Sequence, residues 1–195
     1  MRWISYIVAA SLGLLLDLGT KEAAWRSAAL DKPGSRIVVV DGWFDLVRSE
    51  NQGAAWGLLW GAHTFFLIVS IVAFLAITYF VHTSARKAWK GPVVLGLVLA
   101  GVGGNFFDRA MYGHVRDFLD WHTPDVGSAH DLFEKVFGKT HWPTFNVADI
   151  FICIGAAALV ILFWNDDKAK KAAAAAPLAA PPAAPQAPPV EGAKA

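Results

Sequence analysis

Cysteine is almost missing from this 195-residue sequence: Cys153 stands alone, inside an apolar block. No intrachain disulfide is possible and no thiolate metal cluster can be built, which leaves packing as its expected role. Charge is scarce too. Charged residues make up 17% of the chain and nearly cancel to a formal +1, so nothing draws it toward nucleic acid or toward acidic partners in general. Gly-x-Ser-x-Gly and His-Glu-x-x-His motifs are absent, as is a cysteine in a polar setting, so serine, zinc and cysteine hydrolase chemistries lack their parts.

What is abundant is apolar. Hydrophobic residues reach 55% and the mean hydropathy is +0.42, outside the range of an ordinary soluble domain. They arrive in four long blocks: Trp3 to about Leu18, His63 to His82, Pro92 to Phe107 and Val147 to Trp164. Each approaches the roughly 20 residues that cross about 30 Å of hydrocarbon. The first block has the look of a secretory signal, but it runs on through Asp17 and Lys21 into a helical stretch ending at Leu30, and three further blocks follow. An uncleaved first span is therefore expected. Of the nine tryptophans, Trp3, Trp60, Trp89, Trp142 and Trp164 fall near block ends, where amphipathic rings favour the headgroup layer.

Orientation follows from Lys and Arg. The short segment Thr83 to Gly91 carries Arg86, Lys87 and Lys90 without an acid, and Lys168, Lys170 and Lys171 follow the last span, which predicts that this loop and both termini are cytoplasmic. The two long connections, Gly19 to Ala62 and Arg109 to Phe145, then face outward. Within the first, Ser35 to Val47 reads as a hairpin turning at Asp41-Gly42. After Lys171 the chain is almost entirely Ala and Pro, with six of the ten prolines between Pro177 and Pro189, a composition that cannot bury a core. The expected organisation is one membrane domain, 1–167, and a disordered cytoplasmic tail, 168–195.

Four alternating spans bring the end of the first, the start of the second, the end of the third and the start of the fourth to one membrane face. There the polar residues collect: Asp17 and Lys21, then Asn51 and Gly53, then Asn105, Asp108 and Arg109, then Asn146 and Asp149, with Asp117 just beyond the third span. Ionisable groups at the edge of apolar spans are costly unless paired or functional. Taken alone, Asp17 and Lys21 have the i, i+4 spacing of a simple ion pair, Arg109 that of a residue snorkelling to phosphates, and Asp117 the setting of a solvated loop acid. Gly96, Gly101, Gly103 and Gly104 would let a helix approach the third span closely. The hydrolytic chemistry still open is a pair of aspartates. Two close carboxyls do not both ionise easily, so one keeps a proton while the other accepts one, and water can be activated against an amide with no metal or cofactor.

The motifs resemble, in order, those of the lipoprotein signal peptidases, the signal peptidase II family of intramembrane aspartic peptidases. Asp17-Leu-Gly-Thr-Lys21 resembles the first motif, Asn51-Gln-Gly-Ala-Ala-Trp-Gly57 the second and Gly103-Gly-Asn-Phe-Phe-Asp-Arg109 the third, while His114-Val-Arg-Asp-Phe118 and Phe145-Asn-Val-Ala-Asp149 resemble the segments that carry the catalytic aspartates. The resemblance implies an all-α membrane protein of four transmembrane helices with a small extracytoplasmic β-cradle, held as a monomer in the bacterial cytoplasmic membrane with its site near the outer face. It makes Asp117 and Asp149 the catalytic pair, with Asn51, Gly53, Asn105, Arg109, Asn146 and Ala148 shaping the site and Asp17 and Lys21 supporting it. It implies no metal and no cofactor. The implied substrate is the signal peptide of a lipid-modified prolipoprotein, cut on the amino side of the diacylglyceryl-cysteine amid membrane phospholipid.

Two features depart from the pattern. The segment from about Asp120 to Thr144 is longer than usual and holds His122, His130 and His141, whose spacing fits no common metal-ligand pattern and reads as an outer loop or lid. The Ala/Pro tail is the other. An ion conductor is a competing reading, but it requires polar residues spread through the membrane depth rather than gathered at one face. An inactive scaffold binding the same lipidated peptides is a further alternative.

Overall fold

The computed structural model describes residues 2–32, 34–53, 61–83, 90–124, 126–138 and 140–175. Positions 54–57 of the second motif, Trp60, Arg86, Lys87 and Trp89, and the tail from 176 lie outside them. The chain divides into two compact units, Met1–Leu162 and Phe163–Ala195.

Four helices are long and apolar enough to cross a membrane: α1 (Arg2–Trp25), α2 (His63–Thr83), α3 (Lys90–Tyr112) and α5 (Val147–Ala175). Large apolar side chains stand exposed along them, including Leu12, Leu15, Ile68, Val72, Leu75 and Ile154, as expected of surfaces solvated by lipid rather than water. Two of the spans outrun the apolar blocks: α1 continues through Asp17 and Lys21 to Trp25, and α3 through Asp108 and Arg109 to Tyr112. The run of α1 through Asp17 and Lys21 was expected, that of α3 past Phe107 was not, and in both helices the charges are tolerated because each finds a buried partner, described below.

Lipid cannot drive helices together by hydrophobicity, so close packing of small residues does the work. A Cβ on Gly96 would meet the backbone of Tyr6 and the Cβ of Ala9 on α1, one on Gly13 would meet Ala100, and one on Gly101 would run into the backbone of Ala148 on α5. Tyr6, Val81 and Leu95 are buried together where α1, α2 and α3 meet, with Tyr6 Oη 3.1 Å from Thr78 Oγ1. In the second unit, the end of α5 carries an i, i+4 pair, Lys171 with Asp167 at 2.7 Å, and Lys168 lies over the Trp164 ring.

A three-stranded antiparallel sheet lies between the spans in sequence, ordered β1 (Arg36–Val40), β2 (Phe44–Asn51), β3 (Val115–Trp121). The hairpin turns where expected, with Gly42 at φ 73° and the Trp43 N–H donating to Val40 O at 2.9 Å. The third strand is the difference from the sequence reading, which left 115–121 as loop. It begins right after α3, whose end is marked by Gly113 at φ 79° with its N–H on Arg109 O. Its free edge is taken by Phe145, whose carbonyl accepts the Phe118 and Leu119 N–H groups at 3.0 and 2.9 Å. Ala24, Leu30, Phe118 and Leu119 form the core under the sheet, flanked by Trp25, Phe44, Phe145 and Ile150. The long segment after β3 folds back through a fourth helix, α4 (Ser128–Phe137).

Candidate active site

The pairing of Phe145 with β3 decides the site, because it sets the next residue, Asn146, against the middle of the strand. Asp117, at that point of β3, is 1% exposed. Its Oδ1 accepts a hydrogen bond from Asn146 Nδ2 at 2.6 Å and its Oδ2 one from Asn51 Nδ2 at 2.9 Å. A loop acid would be solvated; this one is enclosed, because all five residues Val115–Leu119 are buried, on both faces of the strand.

Asn146 also caps α5. Its Oδ1 accepts the Asp149 N–H at 3.2 Å while Asp149 Oδ2 accepts the Asn146 N–H at 3.0 Å, the reciprocal bonding of a capping box. The remaining oxygen, Asp149 Oδ1, accepts from Asn105 Nδ2 at 2.8 Å. Asp149 is only half-buried and lines a groove of about 310 Å³ otherwise bounded by Trp121, Trp142, Phe145, Ile150, Cys153 and Ile154. The carboxyls are thus unlike. Burial, and then the charge of Asp149, push the Asp117 carboxyl up from 3.8 to about 7, against the opposing pull of the Asn51 and Asn146 amides. Such a pair can hold one proton between its members near neutrality.

Behind Asn105 lies a buried ionic cluster. Lys21 Nζ, with no exposed side-chain surface, reaches Asp17 Oδ2 at 2.8 Å, Asn105 Oδ1 at 3.1 Å and Asp108 Oδ2 at 3.3 Å. Asp17 Oδ1 accepts the N–H of the fully buried Ala148 at 2.8 Å. Lys21 therefore orients the Asn105 carbonyl, and the Asn105 amide is left facing Asp149. Asn105 Oδ1 also accepts from Asn146 Nδ2 at 3.1 Å. Arg109 lies over the Phe66 ring and donates to Gly53 O at 3.1 Å, while the Gly53 N–H bonds Asn51 Oδ1 at 2.9 Å. Arg109 is thus tied to protein and ring, not merely extended toward headgroups.

All ten residues that the resemblance assigned to the site fall in this assembly. Sequence reasoning missed Arg116 and the role of Asp108. Arg116 donates from Nε and Nη2 to Asp108 Oδ1 at 3.0 and 2.9 Å, from its backbone N–H to Asp108 Oδ2, and from Nη1 to Glu22 Oε2 at 2.9 Å. The available signal was the adjacency of Arg116 and Asp117 between Val115 and Phe118, two opposite charges in one apolar strand. The three histidines separate. His122 and His141 stack with centroids 5.0 Å apart, His122 lying 3.4 Å from the buried Asp45, whereas His130 sits on α4 beside Asp131. Among the described residues no group of three or more His, Cys, Asp or Glu is disposed to hold a metal ion.

Comparison with known proteins agrees in sequence and in fold. A protein of Bacillus pumilus named lipoprotein signal peptidase is 33% identical over 166 residues, covering 85% of this chain and 96% of the relative. One of the same name from Maridesulfovibrio salexigens is 36% identical over 158 residues, covering 78% and 90%. Among solved structures, a bacterial membrane enzyme determined by the in meso method at 2.3 Å superposes with a TM-score of 0.69 at 30% identity, covering 85% of this chain and 90% of that one. A second, at 1.9 Å, gives 0.64 at 30% identity. With the family model for signal peptidase (SPase) II matching residues 9–165, across all four spans and the sheet, this multi-pass membrane protein belongs to the signal peptidase II family of proteases.

Proposed function

We propose that the chain removes signal peptides from diacylglyceryl-modified prolipoproteins by an aspartic mechanism, cutting on the amino side of the lipidated cysteine. The observation that carries this reading is the unlike pair: Asp117 enclosed and raised to about 7, Asp149 on the rim of an apolar groove. The Asp149 carboxylate takes a proton from water, whose oxygen attacks the scissile carbonyl carbon. Asp117, carrying the shared proton, protonates the carbonyl oxygen. Collapse of the tetrahedral species breaks the C–N bond, the cysteine nitrogen leaving with a proton returned through the pair. Asn51, Asn105 and Asn146 hold the carboxyls in place, and Arg109 fixes the Gly53 backbone beside them.

The groove beside Asp149 suits the apolar flank of a membrane-embedded peptide. In this reading the site lies at the outer face of the cytoplasmic membrane, both termini are cytoplasmic, and the enzyme works as a monomer among phospholipids without metal or cofactor. The test is cleavage of a purified diacylglyceryl-prolipoprotein by wild type, by Asp149→Asn, and by wild type with a chelator. Cleavage that survives the chelator and disappears in the variant supports an aspartic mechanism. A folded wild type that binds the peptide without cutting it would replace the proposal with a scaffold of the same fold.

A further inference from the structure

Between β3 and α5 the chain makes an excursion that the proposed chemistry leaves unused. Its neck is clamped: His122 and His141 form an antiparallel bridge with stacked rings, the Trp142 N–H donates to Trp121 O at 2.8 Å, and the Thr123 N–H to Thr140 O at 3.1 Å. Beyond that neck lies α4, closed by Gly138 in the left-handed region with its N–H on Glu134 O. Ala129, Leu132, Phe133 and Val136 recur at i, i+3, i+4 and i+7 and so share one face. With Trp43, Trp121 and Thr123 they line an apolar groove of about 270 Å³. The groove is not filled: Leu132 is 63% exposed, Val136 60% and Trp121 51%. A helix face facing water would not be expected to carry such a patch.

Its surroundings identify what covers it. Trp121 also lines the groove that continues through Trp142 and Phe145 to Ile150, Cys153 and Ile154 on α5, so the α4 face is continuous with the flank of a membrane-crossing helix. The excursion leaves just after α3 and returns just before α5, which places both its ends at one membrane face. The rest of α4 carries His130, Asp131, Glu134 and Lys135, a polar side without surplus positive charge.

We propose that α4 is an interfacial helix that lays its Leu132–Val136 face on the acyl-chain boundary of the leaflet next to the candidate site. Helices of this kind sit about 5–10 Å into that boundary. The inference rests on the membrane spans alone and stands whether or not the chain cuts lipoproteins. Because the polar side offers two acids against one lysine, attachment comes from apolar contact and not from anionic headgroups.

The test uses the full chain in nanodiscs, with Cys153→Ala as background and an environment-sensitive fluorophore on Leu132→Cys, Val136→Cys or Glu134→Cys. All three positions are exposed, so labelling leaves the packed core untouched. Doxyl-labelled lipid is expected to quench the probe at 132 and 136 several-fold more than at 134, iodide is expected to show the reverse order, and both patterns should be the same in zwitterionic and anionic bilayers. Equal iodide quenching at all three positions would overturn the proposal in favour of a solvated lid. Shielding of 132 and 136 from both quenchers would overturn it in favour of a protein cover, and quenching that requires anionic lipid would overturn the apolar mode of attachment.

Discussion

Asn146 bonds Asp117 Oδ1 through its side-chain amide at 2.6 Å while its own backbone and side-chain oxygen close a capping box on Asp149. One residue at the start of α5 thus fixes both carboxyls, and Phe145, bound to the edge of β3, fixes that residue. The relative placement of the aspartates depends on a strand edge and a helix cap, not on loops.

Asp117→Asn and Asp149→Asn are both expected to lower cleavage of a lipidated prolipoprotein by about 10²–10⁴-fold, the usual worth of a positioned acid or base. Their stabilities should diverge. Asp149→Asn keeps only one acceptor for the Asn146 N–H and the Asn105 amide, and loss of half a capping box costs about 0.5–2 kcal/mol. Asp117→Asn removes a buried charge, which offsets the misfit of an amide donor against the Asn51 or Asn146 amide. Thermal melts in detergent beside the cleavage assay check this; near-wild-type turnover in either variant would remove the pair from the mechanism.

The Asp117 carboxyl, raised to about 7 from 3.8 by burial and by the Asp149 charge, also makes stability depend on pH. Its folded value lies above its unfolded one, so its stabilising contribution is complete below about 3.8 and is lost as pH rises through about 7. The wild-type melting temperature is therefore expected to fall relative to that of Asp117→Asn between pH 4 and 8. Parallel curves for the two proteins would show that Asp117 does not titrate in this window. On the proposed mechanism kcat/KM also declines above about pH 7, as the acid loses its proton.

The spans were legible because long apolar runs have few other uses, and the hairpin because Asp41-Gly42 separates two β-rich runs. The end of α3 was not, since whether Asp108 and Arg109 end a helix or lie inside it depends on partners from other elements. Asp117 read as a solvated loop acid because 115–121 reads as loop, and a strand buried on both faces lacks the period-two alternation that would reveal it. The α4 face was visible in the spacing of Ala129, Leu132, Phe133 and Val136, but Pro124, Gly127 and Gly138 punctuate it as loop.

Lys21→Met tests the buried cluster. It leaves Asp17 and Asp108 without the shared ammonium that reaches both, and Asn105 Oδ1 without one of its donors. Removing one member of a buried ionic group costs about 3–5 kcal/mol, so a marked fall in melting temperature is expected, with activity lost through the Asn105 contact to Asp149. A Met variant as stable as wild type would mean that the Lys21 ammonium does not hold this cluster together.

The glycines of α3 separate close approach from mere smallness. A Cβ at 104 would overlap the Asp17 carboxylate, which is already bound to Lys21 and Ala148, and one at 101 would overlap the Ala148 carbonyl. At 103 the nearest atom is Leu14 Cδ1 at 3.7 Å, ordinary contact. Gly104→Ala and Gly101→Ala are therefore expected to destabilise by about 1–3 kcal/mol or more, since neither a buried ion pair nor a helix backbone can yield cheaply. Gly103→Ala should be neutral or stabilising, because alanine gains up to about 1 kcal/mol over glycine inside a helix. Melting temperatures of the three variants check the order, and a Gly104→Ala protein as stable and active as Gly103→Ala would mean that Asp17 does not lie against α3.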